Sequence, residues 1–117
     1  MEAANAPRIA IRPLVRSDLD AVVAIDSAIE GHSRRAYFER RVAAALRDPG
    51  SHAQFAATDD KGLVGYIQAR MVEGEFGRTE RDLRLEAIGV RRDAQGRGIG
   101  KQLFDTLAQW AGRHAAG

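Results

Sequence analysis

The sequence predicts an α/β (α+β) domain with the element order β-α-α-β-β-β-α. Short stretches alternate apolar and polar residues, as half-buried strands do, and longer stretches repeat apolar residues at helical spacing. The 117 residues suffice for one small domain, 1–117. Apolar residues make up 44% of the chain and charged residues 29%, which is typical of globular proteins. We therefore expect one soluble, folded domain.

The first half of the chain predicts one strand and two helices. Arg8–Val15 alternates charged and apolar residues and is predicted to be a strand. Ser17 is the predicted N-cap of the first helix, which Gly31 ends. Ser33 is the predicted N-cap of the second helix, and the helical pattern stops at the breaker Asp48–Gly50. Two consecutive helices therefore follow the first strand.

A β-hairpin is predicted next. Gln54–Thr58 and Leu63–Val72 have β-type composition, and the turn-forming residues Asp59–Gly62 separate them. The charged stretch Glu73–Arg81 contains two glycines and is predicted to be a loop. The hairpin supplies the second and third strands.

The last two elements are a strand and a helix. Asp82–Val90 alternates again, which predicts a fourth strand. Its alternation places two residues on one face, Leu83 and Leu85, and three on the other, Glu86, Ile88 and Val90. Apolar residues at helical spacing then predict a helix over residues 98–114.

Composition argues against several classes of function. Eighteen Lys and Arg residues are interspersed with sixteen acidic ones, giving a net charge of +2, a pattern that does not favour nucleic-acid binding. The chain has no cysteine, which excludes disulfides and thiol nucleophiles, and no apolar run long enough for a membrane span. Three scattered histidines suggest no metal site. We expect a cytoplasmic protein without nucleic-acid or membrane partners.

The stretch QGRGIG, Gln95–Gly100, leads from the fourth strand into the last helix. Glycines there let an anion approach the main chain at a helix N-terminus, where N–H groups lack partners. Arg97 and Lys101 add positive charge. A P-loop would need glycine at Gln95 and serine or threonine at Gln102, and a dinucleotide loop would need glycine at Lys101. Neither motif fits, but a phosphate-bearing ligand is expected.

The motif (Q/R)-x-x-G-x-(G/A), which Gln95–Gly100 matches, resembles the cofactor loop of the GNAT family of N-acetyltransferases. The preceding strand end IGV and the order of the elements resemble that family too. The resemblance implies a mixed, mostly antiparallel sheet flanked by helices, and acetyl-coenzyme A as acetyl donor without a metal. It assigns the pantetheine arm to the main chain of Ile88, Gly89 and Val90. It assigns the pyrophosphate to Gln95, Gly96, Arg97, Gly98, Ile99, Gly100 and Lys101.

The resemblance also implies a reaction, the transfer of an acetyl group to a primary amine of a small molecule or a protein. The attacking amine must lose a proton, so a general base is required. Glu86 matches a glutamate often found on this strand in the family and is the candidate base. The main-chain N–H of Val90 is the candidate donor to the oxyanion.

Complete members of that family continue with a strand, a helix and a hairpin, which we expect to be missing from this chain. A tyrosine that commonly protonates the thiolate lies in that segment, and no tyrosine follows Tyr66. Three alternatives remain open. The chain is part of a longer protein, it completes its sheet as a homodimer, or it is a coenzyme A-binding or oligomerising module with impaired catalysis.

Overall fold

The computed structural model describes residues 8–73 and 81–115. The helices and strands are β1 Ala10–Pro13, α1 Leu19–Glu30, α2 Arg35–Arg47, β2 His52–Asp59, β3 Gly62–Glu73, β4 Arg81–Val90 and α3 Ile99–Ala115. This order confirms the predicted fold class. The two end residues of the predicted loop Glu73–Arg81 belong to β3 and β4, and positions 74–80 lie outside the described residues. None of the helices in the described ranges is long and apolar enough to cross a bilayer.

The described strands form one sheet in the order β1-β2-β3-β4, and every pairing in it is antiparallel. The predicted hairpin joins β2 and β3. In its turn the N–H of Lys61 donates to Asp59 Oδ1 at 2.8 Å, and Gly62 has a φ of +126°. Within the described part of the chain β4 pairs only with β3, so its other side is an open edge.

The helices cover the two faces of the sheet. Alternate residues of β3 point to opposite faces, and they belong to two different apolar clusters. Ile67 packs with Leu103 and Leu107 of α3. Tyr66, its neighbour along the strand, packs with Val22 of α1 and with a cluster that also contains Phe38 and Val42 of α2. One face therefore carries α3, and the other carries α1 and α2.

A β-bulge in β4 changes the predicted alternation. Gln68 pairs with Ala87, but the next residue of β3, Ala69, pairs with Leu85. Glu86 is therefore the extra residue of β4 and has no partner in the ladder. The bulge divides the strand into an N-terminal part and a C-terminal part.

The bulge also changes which side chains share a face. Ile88 lies opposite Ile67 and Leu83 lies opposite Met71, and both β3 partners belong to the core beneath α3. Glu86 contacts α2 instead. The prediction that Glu86 shares a face with Ile88 and Val90 is wrong, because the extra residue reverses the alternation.

The start of α1 also differs from the prediction. Asp18, which ends a 3-10 turn, occupies the N-cap position that was predicted for Ser17. Its carboxylate accepts hydrogen bonds at 2.8 Å from the N–H of Val15 and from both terminal guanidinium nitrogens of Arg12. This side chain ties β1 to the first helix.

An ion pair fixes the junction of α1 and α2. The Arg34 guanidinium donates to Asp26 through Nε at 2.9 Å and through Nη2 at 2.5 Å. The same guanidinium lies over the rings of Tyr37 and Phe38, 5.3 and 5.6 Å from their centroids. This arrangement holds the first turns of α2 against the sheet, next to the bulge of β4.

Candidate functional site

The glycine-rich loop makes a tight connection from β4 to α3. After Val90 the chain passes through a 3-10 turn, Arg92–Ala94, and then through two glycines with left-handed backbone conformations. Gly96 has a φ of +84° and Gly98 a φ of +77°, which other residues rarely adopt. The N–H of Gln102 donates to Gly98 O at 3.0 Å, which marks the first hydrogen bond of the helix. Glycine at these two positions is required by the conformation of the loop.

A cavity of about 360 Å³ opens between this loop and the end of β4. It is lined by Ile29, Ile88, Gly89, Val90, Ala94, Gln95, Gly96, Gly98, Ile99 and Gly100. The fold thus brings most of the predicted cofactor-binding residues to one place. Arg97 and Lys101 do not line the cavity; both are exposed, and Lys101 Nζ pairs with Asp105 at 2.8 Å. Ile29 of α1 was not predicted, because only the packing of α1 brings it there.

The cavity has the properties of an anion site. The N–H groups of the first turn of α3 have no partners within the helix, and the helix N-terminus carries partial positive charge. A Cβ atom built on Gly96, Gly98 or Gly100 would meet no atom within 4 Å. The main chain therefore borders open space, so an oxygen of a phosphate can approach it closely.

The edge of β4 contributes main-chain groups to the same cavity. The N–H of Arg91 donates to Val64 O at 2.8 Å. In an antiparallel ladder, only every second residue of a strand bonds to a given neighbouring strand. The N–H and C=O groups of Gly89 therefore face β3, as the N–H of Arg91 does, and the groups of Ile88 and Val90 face the open edge. Gln95 Nε2 donates to Val90 O at 3.1 Å and ties the loop to the strand. The N–H of Val90 therefore points towards the open edge.

The residues beneath the cavity are closely packed. A Cβ atom on Gly65 of β3 would lie 3.2 Å from Gly89 O and 3.2 Å from Ile99 Cγ2. Ile99 is fully buried in the core beneath α3. Its side chain anchors the helix start, so any contact of Ile99 with a ligand would come mainly from its main chain.

Glu86, the predicted base, lies on the α2 side of the sheet and does not line the cavity. Its Oε1 accepts a hydrogen bond from Arg41 Nη1 at 2.6 Å and lies 2.7 Å from Arg70 Nε. The hydroxyl of Tyr37 donates to the main-chain oxygen of Glu86 at 2.9 Å. These long-range contacts could not be predicted from the sequence, because they come from α2 and β3.

A buried tyrosine packs against Gly89 on the face of the sheet that α1 and α2 cover. Tyr66 is 1% exposed, and its ring makes an edge-to-face contact with Phe38. Burial, and then the negative charge of Asp26, raise the pKa of the Tyr66 phenol. The phenol therefore stays neutral at physiological pH.

Two of the three histidines contact main-chain oxygens of nearby residues. His52 Nδ1 lies 2.9 Å from Asp48 O, and His114 Nδ1 lies 2.8 Å from Trp110 O. In residues 8–73 and 81–115, no three His, Cys, Asp or Glu side chains form a group that could hold a metal ion.

Solved structures establish that the fold is shared with known enzymes. The ribosomal-protein-alanine N-acetyltransferase of Brucella melitensis biovar Abortus 2308 is 22% identical, with a TM-score of 0.71 over 92% of this chain and 74% of that chain. The aminoglycoside N-acetyltransferase AAC(6')-Iy, solved with CoA, is 18% identical, with a TM-score of 0.75 over 93% and 72%. Arabidopsis thaliana NAA60, solved with acetyl-CoA, is 21% identical, with a TM-score of 0.74 over 92% and 70%.

The sequence itself establishes the family. No curated protein sequence matches the chain significantly. The sequence model described as "Acetyltransferase (GNAT) family", however, matches residues 19–117, which include all three helices, strands β2 to β4 and the glycine-rich loop. The chain therefore belongs to the GNAT acetyltransferase family.

Proposed function

We propose that this protein is an acetyl-coenzyme A-dependent N-acetyltransferase that acetylates a primary amine of a small molecule or a protein. The cavity between the β4 edge and the N-terminus of α3 is the observation that carries this proposal. Membership of the GNAT family supports it. The structurally similar AAC(6')-Iy and NAA60 were solved with CoA and acetyl-CoA, which supports acetyl-CoA as the donor.

The residues around the cavity suit the parts of this donor. In the proposal, Gln95 to Lys101 and the first turn of α3 bind the pyrophosphate through main-chain N–H groups. The pantetheine arm, an extended chain with two amides, pairs with the open edge of β4 at Ile88 and Val90. Gly89 does not pair with the arm, because its main chain faces β3. It contributes by lacking a side chain, which lets β4 pack closely on Tyr66. Bound acetyl-CoA would supply the thioester: the amine nitrogen would bond to its carbonyl carbon, the C–S bond would break, and coenzyme A would leave as a thiolate that takes up the proton lost by the amine.

Glu86 is the proposed general base. The shortest contacts from Arg41 and Arg70 are both to its Oε1, and none of the described residues donates a hydrogen bond to Oε2. The side chain of Glu86 is 13% exposed. An acceptor amine, or a water between the two, can therefore reach Oε2 and give up a proton there. The bonds from Arg41 and Tyr37 hold the bulge and its carboxylate in one orientation.

Val90 is the proposed oxyanion donor. Its N–H faces the open edge at the C-terminal end of β4, between the glycine-rich loop and the bulge. Negative charge develops on the thioester oxygen during attack, and a fixed N–H that points at this oxygen stabilises the charge. The Gln95 bond to Val90 O keeps this peptide in position.

A homodimer is the second part of the proposal. Leu83 and Leu85 of β4 and Phe104 of α3 are large apolar side chains that are exposed on the α3 side of the sheet. A second copy that pairs with the N-terminal part of β4 would cover them and complete the edge. Light scattering tests this part: a dimer is expected at micromolar concentration, and a strictly monomeric protein contradicts it.

Thiol release from acetyl-CoA, measured with a panel of primary amines, tests the activity. Turnover that requires both the donor and an amine supports the proposal. A folded protein that binds acetyl-CoA in a calorimetric titration but acetylates none of the amines would instead be a coenzyme A-binding module with impaired catalysis. Absence of binding contradicts both functions.

A further inference from the structure

Three arginines lie near Glu86 on the α2 side of the sheet. Arg41 and Arg70 both contact Glu86 Oε1, at 2.6 and 2.7 Å. Arg84 of β4 lies directly opposite Arg70 of β3 in the register, so the two side chains share a face. We call Arg41, Arg70 and Arg84 the arginine cluster. It comes from one helix and two strands and lies next to the proposed base.

Among the described residues, the arginine cluster has more positive charge than the nearby carboxylates neutralise. Glu86 is one carboxylate shared by two guanidinium groups. Within residues 8–73 and 81–115, Arg84 has no acidic partner, and the other carboxylate placed on this face of β4 is Asp82, opposite Val72. Three positive charges thus face two negative ones. Like charges that lie directly opposite on neighbouring strands are destabilising, so this arrangement is unfavourable without a further anion.

Unpartnered polar atoms occur in the same place. In the described part of the chain, the buried side-chain polar atoms without a hydrogen-bond partner are Arg41 Nε, Arg70 Nε and Gln68 Oε1. The Nε of Arg70 is close to Glu86 Oε1, but its N–H does not point at that oxygen. Gln68 pairs with Ala87, next to Glu86, and lies two residues from Arg70 on the same face.

These atoms include both unmet donors and an unmet acceptor. A buried polar atom without a partner is costly, and most such atoms in native proteins have one. Arg41 Nε and Arg70 Nε belong to the two guanidinium groups that contact Glu86, whereas the side chain of Gln68 bonds to Gln54 of β2. All three atoms are buried, so a ligand would contact the exposed ends of the guanidinium groups; the side chain of Arg70 is 39% exposed, and Arg84 is exposed.

We infer that the acceptor amine carries an anionic group, a carboxylate or a phosphate, which binds to Arg70 and Arg84 while the amine lies near Glu86. This inference rests on the proposed function, because it names the substrate class of the same site. Arg84 lies two residues before Glu86, which corresponds to about 7 Å along a strand. The amine and the anion should therefore be separated by a spacer of about four carbon atoms.

Calorimetric titrations of four amines into the CoA-saturated protein test the inference. δ-Aminovalerate is compared with pentylamine, which lacks the carboxylate, and aminopropyl phosphate is compared with propanolamine, which lacks the phosphate; the two pairs distinguish carboxylate from phosphate. Each amine with an anionic group is expected to bind about tenfold or more tightly than its counterpart without one, because bonds to charged groups are the stronger ones. Added salt should reduce the difference.

Two variants identify the residues responsible. Arg84→Gln should remove most of the preference for the anionic amines. Arg113→Gln makes the same charge change at an exposed position of α3, on the opposite face of the sheet, and should keep the preference. Thermal unfolding of both variants shows whether they remain folded.

Each outcome bears on the inference. Equal affinity for the amines with and without the anionic group, no saturable binding of either amine that carries it, or a preference that survives Arg84→Gln would overturn it. Failure of the proposed function is a separate result, seen as absence of CoA binding in a titration without amines. In that case the four amines are titrated into the protein alone, and the same comparison applies.

Discussion

Gly89 packs so closely on Tyr66 that a Cβ atom at position 89 would lie 2.7 Å from the ring carbon Cε1 and 2.7 Å from the phenol oxygen. Real Cβ atoms do not approach other atoms so closely. The ring is buried against Phe38, with its centroid 5.8 Å away, and cannot move freely. The edge that is proposed to bind the pantetheine arm thus rests on a rigid aromatic layer.

Gly89→Ala should lower the free energy of unfolding by about 1–3 kcal/mol, because the added methyl group forces either β4 or the ring to move. It should also weaken acetyl-CoA binding, since β4 forms one wall of the cavity. Urea unfolding measures the first effect. Gly112→Ala in α3, where a Cβ atom meets nothing within 4 Å, is the control and should not lower stability. Equal stability of the two variants would show that the contact is not tight.

Gly100→Ala should separate binding from folding. A Cβ atom there meets nothing within 4 Å, φ is not left-handed, and alanine favours a helix by up to about 1 kcal/mol over glycine. Stability should be unchanged or higher, whereas the new methyl group in the cavity should weaken acetyl-CoA binding about tenfold or more. Gly98 is a poorer choice, because its φ of +77° would strain any other residue. Unchanged affinity in Gly100→Ala would show that the phosphates bind elsewhere.

Glu86→Gln should leave acetyl-CoA binding intact and lower kcat about 100-fold or more, the usual contribution of a general base. The matched control is Asp82→Asn, which makes the same kind of change on the same strand and face but farther from the cavity. Steady-state kinetics and calorimetry distinguish the two effects. If kcat stays the same in Glu86→Gln, Glu86 is not the base, and its ion pairs with Arg41 and Arg70 are structural.

Asp18 should make the stability depend on pH in acid. The hydrogen bonds from Arg12, and then that from the N–H of Val15, hold the pKa of Asp18 below its usual value, although burial acts in the opposite direction. A lowered pKa contributes stability above the unfolded-state value of about 3.9, and this contribution is lost as the pH falls through the folded-state value. Protonation of Asp18 should therefore destabilise the protein only below about pH 4.

Asp18→Asn provides the measurement. It should cost about 1–3 kcal/mol at neutral pH, because it removes a charged partner of Arg12, and it should lose less stability than the wild type between pH 5 and pH 3. Asp60→Asn, at an exposed turn position, is the control and should behave like the wild type. Parallel losses in the wild type and Asp18→Asn on acidification would argue against Asp18 as a source of the acid sensitivity.

The loop that is proposed to bind the cofactor could largely be predicted from the sequence. Glycines in a short stretch before an amphipathic helix predict a local feature, the start of the helix, and Gln95–Gly100 lies there in the structure. The order of the elements could also be predicted, because apolar residues recur at different spacings in strands and in helices. The close contact at Gly89 could also have been predicted, because a glycine inside a strand often marks a close approach of another group.

The surroundings of Glu86, the proposed base, could not be predicted in the same way. The bulge at Glu86 has no glycine or other local signal, and one extra residue reverses the faces of the strand. Arg41 and Arg70 reach Glu86 from positions 45 and 16 residues away along the chain. Only the packing of α2 against β3 and β4 brings these charges together, so sequence periodicity contains no information about their contact.

An NMR titration of the amide groups with acetyl-CoA tests the central claim most directly. We predict saturable binding at one site, with the largest shift changes at Val90 and at Gly96 to Lys101, and small changes in the last turns of α3. Absence of binding by the folded protein, or shift changes concentrated away from the β4 edge and the glycine-rich loop, would contradict the account.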